Sequence, residues 1–394
     1  MDCFDFYLPT RILFGAGKLD ELARVALPGR KALIVTTGGQ SVRKYGYLGR
    51  VIALLAQNGG VESVVFDKVL PNPVRSHVME AAALCREHGC DFVVGLGGGS
   101  AIDSAKSIAL MARNPGDYWD YVQGGSGLGR PVMNGALPVI AITTTAGTGT
   151  EADPWTVITH DDNQEKVGYG GDLLFPALSI VDPELMLTVP PRLTAYQGFD
   201  AFFHAAEGYI ANIANPVSDM FALRSMRLIY DYLPTAVARG DDLEARTQVA
   251  MANTFAGIVE STSSCTSEHS LEHAMSGIAP DLPHGAGLIM ISLAYFRHFA
   301  RLIPERVTEM ARNLGIDVDA LPGADRPMAF VRALERMQKA CGVDQLRMSE
   351  YGITPADFPR LAALARHAMG GLFSMDRAPL TDAAILQIFE ESYK

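Results

Sequence analysis

Cysteine is scarce in this chain. Five are present (Cys3, Cys85, Cys90, Cys265 and Cys341) among 394 residues. That is too few and too scattered for a disulfide framework, and the Cys85–Cys90 spacing fits neither CxxC nor one helix face. They read as structural thiols in a reducing, cytoplasmic setting. An excess of basic residues is missing too. The net charge of −11 removes nucleic acid as the main partner, because phosphate binding needs a cationic surface. It leaves a small-molecule site unconstrained, since a local field can differ in sign from the total. No apolar run reaches the roughly 18 to 20 residues of a membrane span. The opening MDCFDFYLPTRILFG lacks the basic stretch followed by an apolar one that marks a secretory signal. No membrane partner is expected. The GxGxxG fingerprint, internal repeats and low-complexity tracts are absent as well.

What is present is enough length for two domains with real cores and an ordinary globular balance of 48% hydrophobic and 20% charged residues. Short apolar runs alternate with helical stretches in the first half. Lys31–Thr36, Val61–Phe66, Asp91–Leu96, Val139–Thr143 and Leu178–Val181 read as strands buried on both faces, with helices such as 48–57 and 78–88 between them. That pattern predicts a parallel sheet. From about Thr188 the periodicity becomes 3.6 almost throughout, as in 222–233, 247–259 and 329–341, after the punctuation of Pro190-Pro191. The expected fold is therefore α/β plus all-α, with a Rossmann-like dinucleotide domain over 1–187 and a helical metal-binding domain over 188–394. Ligands favour clefts between domains, so the start of the second domain is expected to face the glycine turns of the first.

The turns at strand ends carry the first candidate chemistry. Gly97-Gly98-Gly99-Ser100 follows a buried strand and opens a helix over 101–111. Glycines admit a phosphate to the backbone, and the helix N-terminus supplies N–H groups and the positive dipole end. Ser100 is placed either as N-cap or as a phosphate donor. A tight turn alone would account for one glycine. The loop 143–151 (TTTAGTGTE) adds Thr143, Thr144 and Thr148 as ribose or phosphate contacts, against self-contained threonine turns. Asn72, held between two prolines, is a weaker candidate. Gly124–Gly129 reads as a flexible loop, because no buried strand feeds it.

Asp200 and His204 are spaced i, i+4, so on a helix their side chains share a face. Of nine histidines in the chain, His269, His273 and His284 fall close together. One carboxylate and three imidazoles suit a divalent iron or zinc ion with a position left for a substrate oxygen. The alternative is a chance helical pair with unrelated core histidines. The cofactor turns favour the metal. Phe202, Phe203 and Trp155 are read as a pocket wall or, equally, as core.

Taken together these segments resemble the iron-containing (group III) alcohol dehydrogenase family over nearly the whole chain. GGGSAIDSAK (97–106) is similar to its GGGSxxDxAK. TTAGTGTE (144–151) is similar to its TTxGTGSE, with Thr150 where serine is usual. GFDAFFHAAEGY (198–209) resembles GxDAxxHAxEAY, and HSLEH (269–273) with PHG (283–285) resembles HxxxH…PHG, with an interval one residue longer than the pattern. The FYLPTRILFG strand and Pro71-Asn72-Pro73 agree. The resemblance implies Asp200, His204, His269 and His284 as ligands of Fe(2+), with Zn(2+) as the alternative, and His273 as a proton relay. It implies an NAD(P)-linked alcohol dehydrogenase acting on small primary alcohols and aldehydes, forming homodimers or larger homo-oligomers. Asp103 is placed near the cofactor or as a helix cap, and Lys166 at the dinucleotide or in solvent. No carboxylate occupies 36–44, where Gly38, Gly39 and Ser41 could receive a 2′-phosphate and Arg43 or Lys44 neutralise it, so NADP(H) is expected over NAD(H). The alternatives are a glycerol-dehydrogenase-like or dehydroquinate-synthase-like enzyme, or a non-catalytic nucleotide-binding scaffold.

Overall fold

Continuous apolar runs need cover on both faces, and the first half of the chain provides it. A computed structural model of the protein describes residues 4–39 and 41–394; Cys3 and Gln40 lie outside the described residues. By contacts the chain divides into two compact units, Tyr7–Val189 and Pro190–Lys394, the described residues before Tyr7 grouping with the latter.

The first unit runs β1 (Arg11–Phe14), β2 (Lys31–Thr37), α1 (Ser41–Lys44), α2 (Tyr47–Gln57), β3 (Glu62–Val69), α3 (Arg75–Glu87), β4 (Phe92–Gly97), α4 (Gly99–Met111), β5 (Val139–Thr143), β6 (Trp155–Thr159), β7 (Lys166–Gly170) and β8 (Leu178–Val181). Six strands form one sheet in the order β1-β8-β5-β4-β2-β3, and every pair in it is parallel. The central strands β4 and β5 are buried along their whole length. Ala32, Ile34, Val94, Ile140 and Ile180 form a core with Val51 and Leu55 of α2. Each large aliphatic side chain removed from water there contributes about 1.5–3 kcal/mol. The chain leaves β2 for β3 on one side and returns to β4 on the other. This is a topological switch point, and ligands of open parallel sheets bind at the carboxyl ends beside it. The glycines after β2 and β4 stand at those ends.

Sequence reading missed β6 and β7, an antiparallel pair. Their alternation is short, and β7 contains two glycines that dilute it. The loop read as flexible is bonded at several points: Gly127 N–H donates to Gly124 O, Gly129 N–H to Val122 O, and the Ser126 N–H and hydroxyl to Glu165.

The second unit is helical: α5 (Pro191–Ile210), α6 (Pro216–Ala238), α7 (Leu243–Thr262), α8 (Ser267–Ile278), α9 (His284–Leu302), α10 (Pro304–Asn313), α11 (Met328–Ala340), α12 (Phe358–Phe373) and α13 (Asp382–Ser392). Helix α5 is buried nearly all round because α6, α7 and α9 surround it. Phe202 and Phe203 are fully buried and stack on Phe330 and Phe296. They are core, not a pocket wall. Two helix crossings depend on missing side chains. A Cβ at Gly208 would come within 2.1 Å of Val259 on α7, and one at Gly285 within 2.1 Å of the Tyr196 carbonyl on α5.

Candidate metal centre and cofactor turns

The central helix α5 presents Asp200 and His204 one turn apart. Helix α8 supplies His269, and α9 begins at His284. The glycine of Pro283-His284-Gly285 lets α9 start against the backbone of α5, which brings His284 to Asp200. The interval before it contains the turn Ala279–Pro283, where Leu282 N–H donates to Ala279 O.

The ligand atoms of Asp200, His204, His269 and His284 lie within 4.8 Å of one another. From Asp200 Oδ1 the imidazole Nε2 atoms stand at 3.7 Å for His204, 3.7 Å for His269 and 3.4 Å for His284. A tetrahedral site with arms of about 2.1 Å has edges of about 3.4 Å, so one ion suits these separations. Asp200 Oδ1 and His269 Nε2 are buried without a hydrogen-bond partner. An unmet buried polar atom costs about 1–3 kcal/mol, and a cation between them relieves both. Burial works against the charge on Asp200, but the imidazoles of His204, His284 and His269 outweigh it and hold the carboxyl at about 2. The donor set therefore arrives with its carboxylate ionised. His273 is buried, with its ring 5.4 Å from that of His284 and 6.4 Å from that of His269.

In the other unit the turns after β4 and β5 are built against each other. Thr144 N–H donates to Gly97 O at 2.9 Å. Gly97 has a φ of +152°, and a Cβ at Gly98 or Gly99 would fall 2.7 Å from Thr145 Oγ1 or 2.4 Å from Thr148 Cγ2. All three glycines thus have a steric reason. Gly98 caps α4 without a side-chain bond, so Ser100 is not the N-cap. Its hydroxyl donates to Pro71 O and ties the turn to the Pro71-Asn72-Pro73 corner. Thr143 and Thr144 are buried, and the Thr143 hydroxyl closes its own turn on Thr145 O. Thr148 is half-buried, as is Asn72, while Gly38, Gly39 and Ser41 are exposed. An uncapped helix N-terminus at a switch point suits a dinucleotide phosphate.

Asp103 is not a cap either. Its carboxylate accepts from Thr150 Oγ1 at 2.7 Å and from Val157 N–H at 2.9 Å, and burial pushes it up to about 6 despite Lys106 nearby. Lys106 is fully buried, with Nζ donating to Thr150 Oγ1, to the carbonyls of Asp153 and Trp155, and to Asp153 Oδ1. Lys166 is buried in β7, which removes the solvated alternative.

Two family models cover almost the whole chain: iron-containing alcohol dehydrogenase over residues 9–183, and the C-terminal domain of the same family over 194–393. The chain belongs to the iron-containing alcohol dehydrogenase family. It is 36% identical to the NAD-dependent methanol dehydrogenase of Bacillus methanolicus over 91% of this chain and 92% of that protein. It is 33% identical to the 1,3-propanediol dehydrogenase of Citrobacter freundii over 99% of both. The crystal structure of an archaeal halo-thermophilic alcohol dehydrogenase from a Red Sea brine pool, a mutant form, superposes with a TM-score of 0.93 at 33% identity, covering 100% of this chain and 99% of that one. The protein is an alcohol dehydrogenase of this family, and its relatives favour neither of the rival enzyme readings nor a scaffold.

Sequence reading of this iron-containing alcohol dehydrogenase missed three residues. Each candidate histidine ligand has a carboxylate at its far nitrogen: Glu207 at His269 Nδ1, Glu272 at His284 Nδ1, and Glu260 3.4 Å from His204 Nδ1. Such carboxylate–imidazole pairs fix the tautomer, turn the ring and raise its donor strength. The signal was available for two of them. Glu207 is the acidic residue of HAAEGY, and Glu272 sits inside HSLEH. Glu260 belongs to no motif and becomes visible only when α7 packs on α5.

Proposed function

We propose that the chain interconverts small primary alcohols and their aldehydes, with Asp200, His204, His269 and His284 as ligands of Fe(2+) and His273 as the residue that carries the proton. The observation behind this reading is the convergence of three imidazole Nε2 atoms on one Asp200 oxygen. When bound, the ion supplies Lewis acidity toward the substrate oxygen and nicotinamide takes or gives the hydride. The chain's own residues set the stage. Asp200 contributes a charge that survives burial. Glu207, Glu260 and Glu272 hold the Nδ1 side of the imidazoles so that the Nε2 lone pairs face inward. His273 accepts the hydroxyl proton as an alcohol is oxidised and returns it as an aldehyde is reduced. The substrates named for two relatives, methanol and 1,3-propanediol, support a short-chain preference. The test is cofactor oxidation with a panel of short aldehydes, with and without chelator, beside metal analysis of enzyme purified without added metal. No turnover with any member overturns the reading, and zinc in place of iron revises the metal. Replacing His273 by Gln should keep the metal and lower kcat by the roughly 10²–10⁴-fold that positioned proton transfer contributes.

We infer further that NADP(H) is preferred to NAD(H). Gly38, Gly39, Ser41 and Lys44 are exposed at the end of β2 and in α1, and no acidic residue lies between Thr36 and Lys44. Asp67 works the other way. It pairs with Arg43 and so engages one of the two cations expected to meet a 2′-phosphate, leaving Lys44 for that contact. Comparison of kcat/KM for NADPH and NADH decides, and a clear NADH preference overturns the inference. The reading also places the enzyme in a reducing cytoplasm, supported by free Cys85, Cys90, Cys265 and Cys341, and as a homodimer or larger homo-oligomer, which light scattering tests. Among the described residues no helix is long and apolar enough to cross a membrane.

A further inference from the structure

The carboxylate behind His269 stands at the head of a buried chain of hydroxyls. Glu207 Oε1 faces His269 Nδ1, while Oε2 accepts from Thr266 N–H at 2.7 Å and from the Thr266 hydroxyl at 2.8 Å. A threonine hydroxyl has one proton. Given to Glu207, it leaves the oxygen to accept, and Tyr295 Oη stands 2.9 Å away as the donor. Tyr295 Oη in turn lies 3.1 Å from Ser267 Oγ and 3.5 Å from Asp376 Oδ1. Asp376 Oδ1 also accepts from Ser267 N–H at 3.1 Å and from Ser267 Oγ at 3.0 Å. Glu207, Thr266, Ser267 and Tyr295 are fully buried and Asp376 is 7% exposed. Each hydroxyl has one proton, so while Tyr295 donates to Thr266 it does not donate to Asp376, and Ser267 then serves either Tyr295 or Asp376. The network joins α5, the start of α8, α9 and the segment after α12, with Tyr295 and Asp376 separated by 81 positions in sequence. Residues that far apart are not tied together by local helix formation.

We propose that Tyr295 and Asp376 are positioning residues of the metal centre: through Thr266 and Ser267 they hold the Glu207 carboxylate in the one orientation that keeps His269 Nε2 turned toward Asp200. This rests on the metal reading given above. The physical basis is that Glu207 has two oxygens and two tasks. Without the hydroxyl chain Oε2 is held by backbone N–H groups, those of Thr266 at 2.7 Å and His269 at 3.4 Å, so the carboxylate is less firmly oriented and selects the His269 tautomer less strictly. Outer partners of metal-bound histidines are worth about 10–100-fold in affinity. Tyr295, two hydrogen bonds beyond Glu207, and Asp376, further still, should be worth less, about 3–10-fold.

The experiment measures Co2+ affinity by competition with a chelator, together with the visible absorption of the bound ion, on the full-length enzyme, four single variants and the double variant Tyr295→Phe with Asp376→Asn. Tyr295→Phe removes one hydroxyl and keeps the ring. Asp376→Asn keeps the shape. Thr266→Ser preserves the hydroxyl and serves as the conservative rescue. His269→Ala reports on the metal reading itself. The expected result is a 3–10-fold weaker Kd with an altered spectrum for Tyr295→Phe and Asp376→Asn, wild-type behaviour for Thr266→Ser, and a double variant no weaker than about the weaker single one, since both act through Glu207. An unchanged Kd and spectrum in Tyr295→Phe and Asp376→Asn, whether or not Tm falls, overturns the proposal while the metal reading stands, provided His269→Ala loses the ion. Full Co2+ affinity in His269→Ala overturns the metal reading and this proposal with it.

Discussion

The two chemically marked regions of this enzyme use their motif residues in opposite ways. In α5, α8 and α9 the motif letters are side chains that point at a common centre: Asp200, His204, His269 and His284 place their ligand atoms within 4.8 Å of each other. In the turns after β4 and β5 the motif letters are mostly about space. Gly98 and Gly99 leave room for Thr145 and Thr148, and Asp103, Lys106 and Thr150 bond to one another and to the β6 segment. A polar motif on helices announces its chemistry through direction. A glycine motif in a turn announces a shape, and what the shape presents is backbone. Substitutions in the two regions should therefore fail differently.

The largest effect is expected at a ligand. His269→Ala should lose the ion and with it activity, by more than the roughly 10–100-fold assigned to outer partners, while the cofactor still binds. Metal content and cofactor fluorescence titration check both halves; an intact metal content removes the ligand assignment. Next comes Lys106→Met in the turn region. Lys106 and Asp153 form a buried pair at 3.2 Å, and removing one partner of such a pair costs about 3–5 kcal/mol. The expected outcome is a large loss of stability in a denaturant melt with metal affinity per folded molecule unchanged. A variant as stable as the parent would show that Asp153 finds another partner. Smaller still is Glu272→Gln, which leaves the imidazole of His284 a weaker partner. Metal affinity should fall about 10–100-fold with little change in KM for the cofactor. A change in the cofactor KM instead would mean that the two regions do not separate as described.

Much of this was legible in sequence because the features are local. The strands at β2, β4, β5 and β8 are runs of aliphatic residues buried on both faces, and the i, i+4 spacing of Asp200 and His204 carries their direction. What was not legible depends on packing between distant elements. Glu260 meets His204 only through the α5–α7 crossing. Asp67 of β3 meets Arg43 of α1, so a stretch free of carboxylates in sequence has one nearby in space. Asp103 seemed a cap because it lies near a helix start, yet its partners Thr150 and Val157 come 47 and 54 residues later. Phe202 and Phe203 neighbour the ligands in sequence, but on a helix surrounded by others that places them in the core.

The last contrast is in acid–base behaviour, and it divides one stability slope between the two regions. Burial is the main force that lifts Asp376 from its ordinary 3.8 to about 7. Its bonds from Ser267, and from Tyr295 when that hydroxyl turns away from Thr266, oppose the shift, and Glu207 reinforces it. Burial likewise lifts Asp103 to about 6. A carboxyl raised in this way holds its proton in the folded protein after the unfolded chain has released it. Between about pH 4 and the folded value the native state binds more protons, so stability falls as pH rises. The contribution is complete below about pH 4 and is gone near pH 7 for Asp376 and near pH 6 for Asp103. Denaturant melts of the metal-free enzyme across this interval should show a declining midpoint. Asp376→Asn should make the decline shallower up to about pH 7, and Asp103→Asn only in the part ending near pH 6, while Glu268 and Asp153, also raised by burial, keep some of it in both variants. Asp200, held at about 2, adds nothing to the slope above about pH 5, where it is ionised in both states, and below that it works in the opposite direction. If Asp376→Asn leaves the slope above pH 6 unchanged, its carboxyl is ionised in the fold, and the hydroxyl chain ends on a charge in place of a neutral acid.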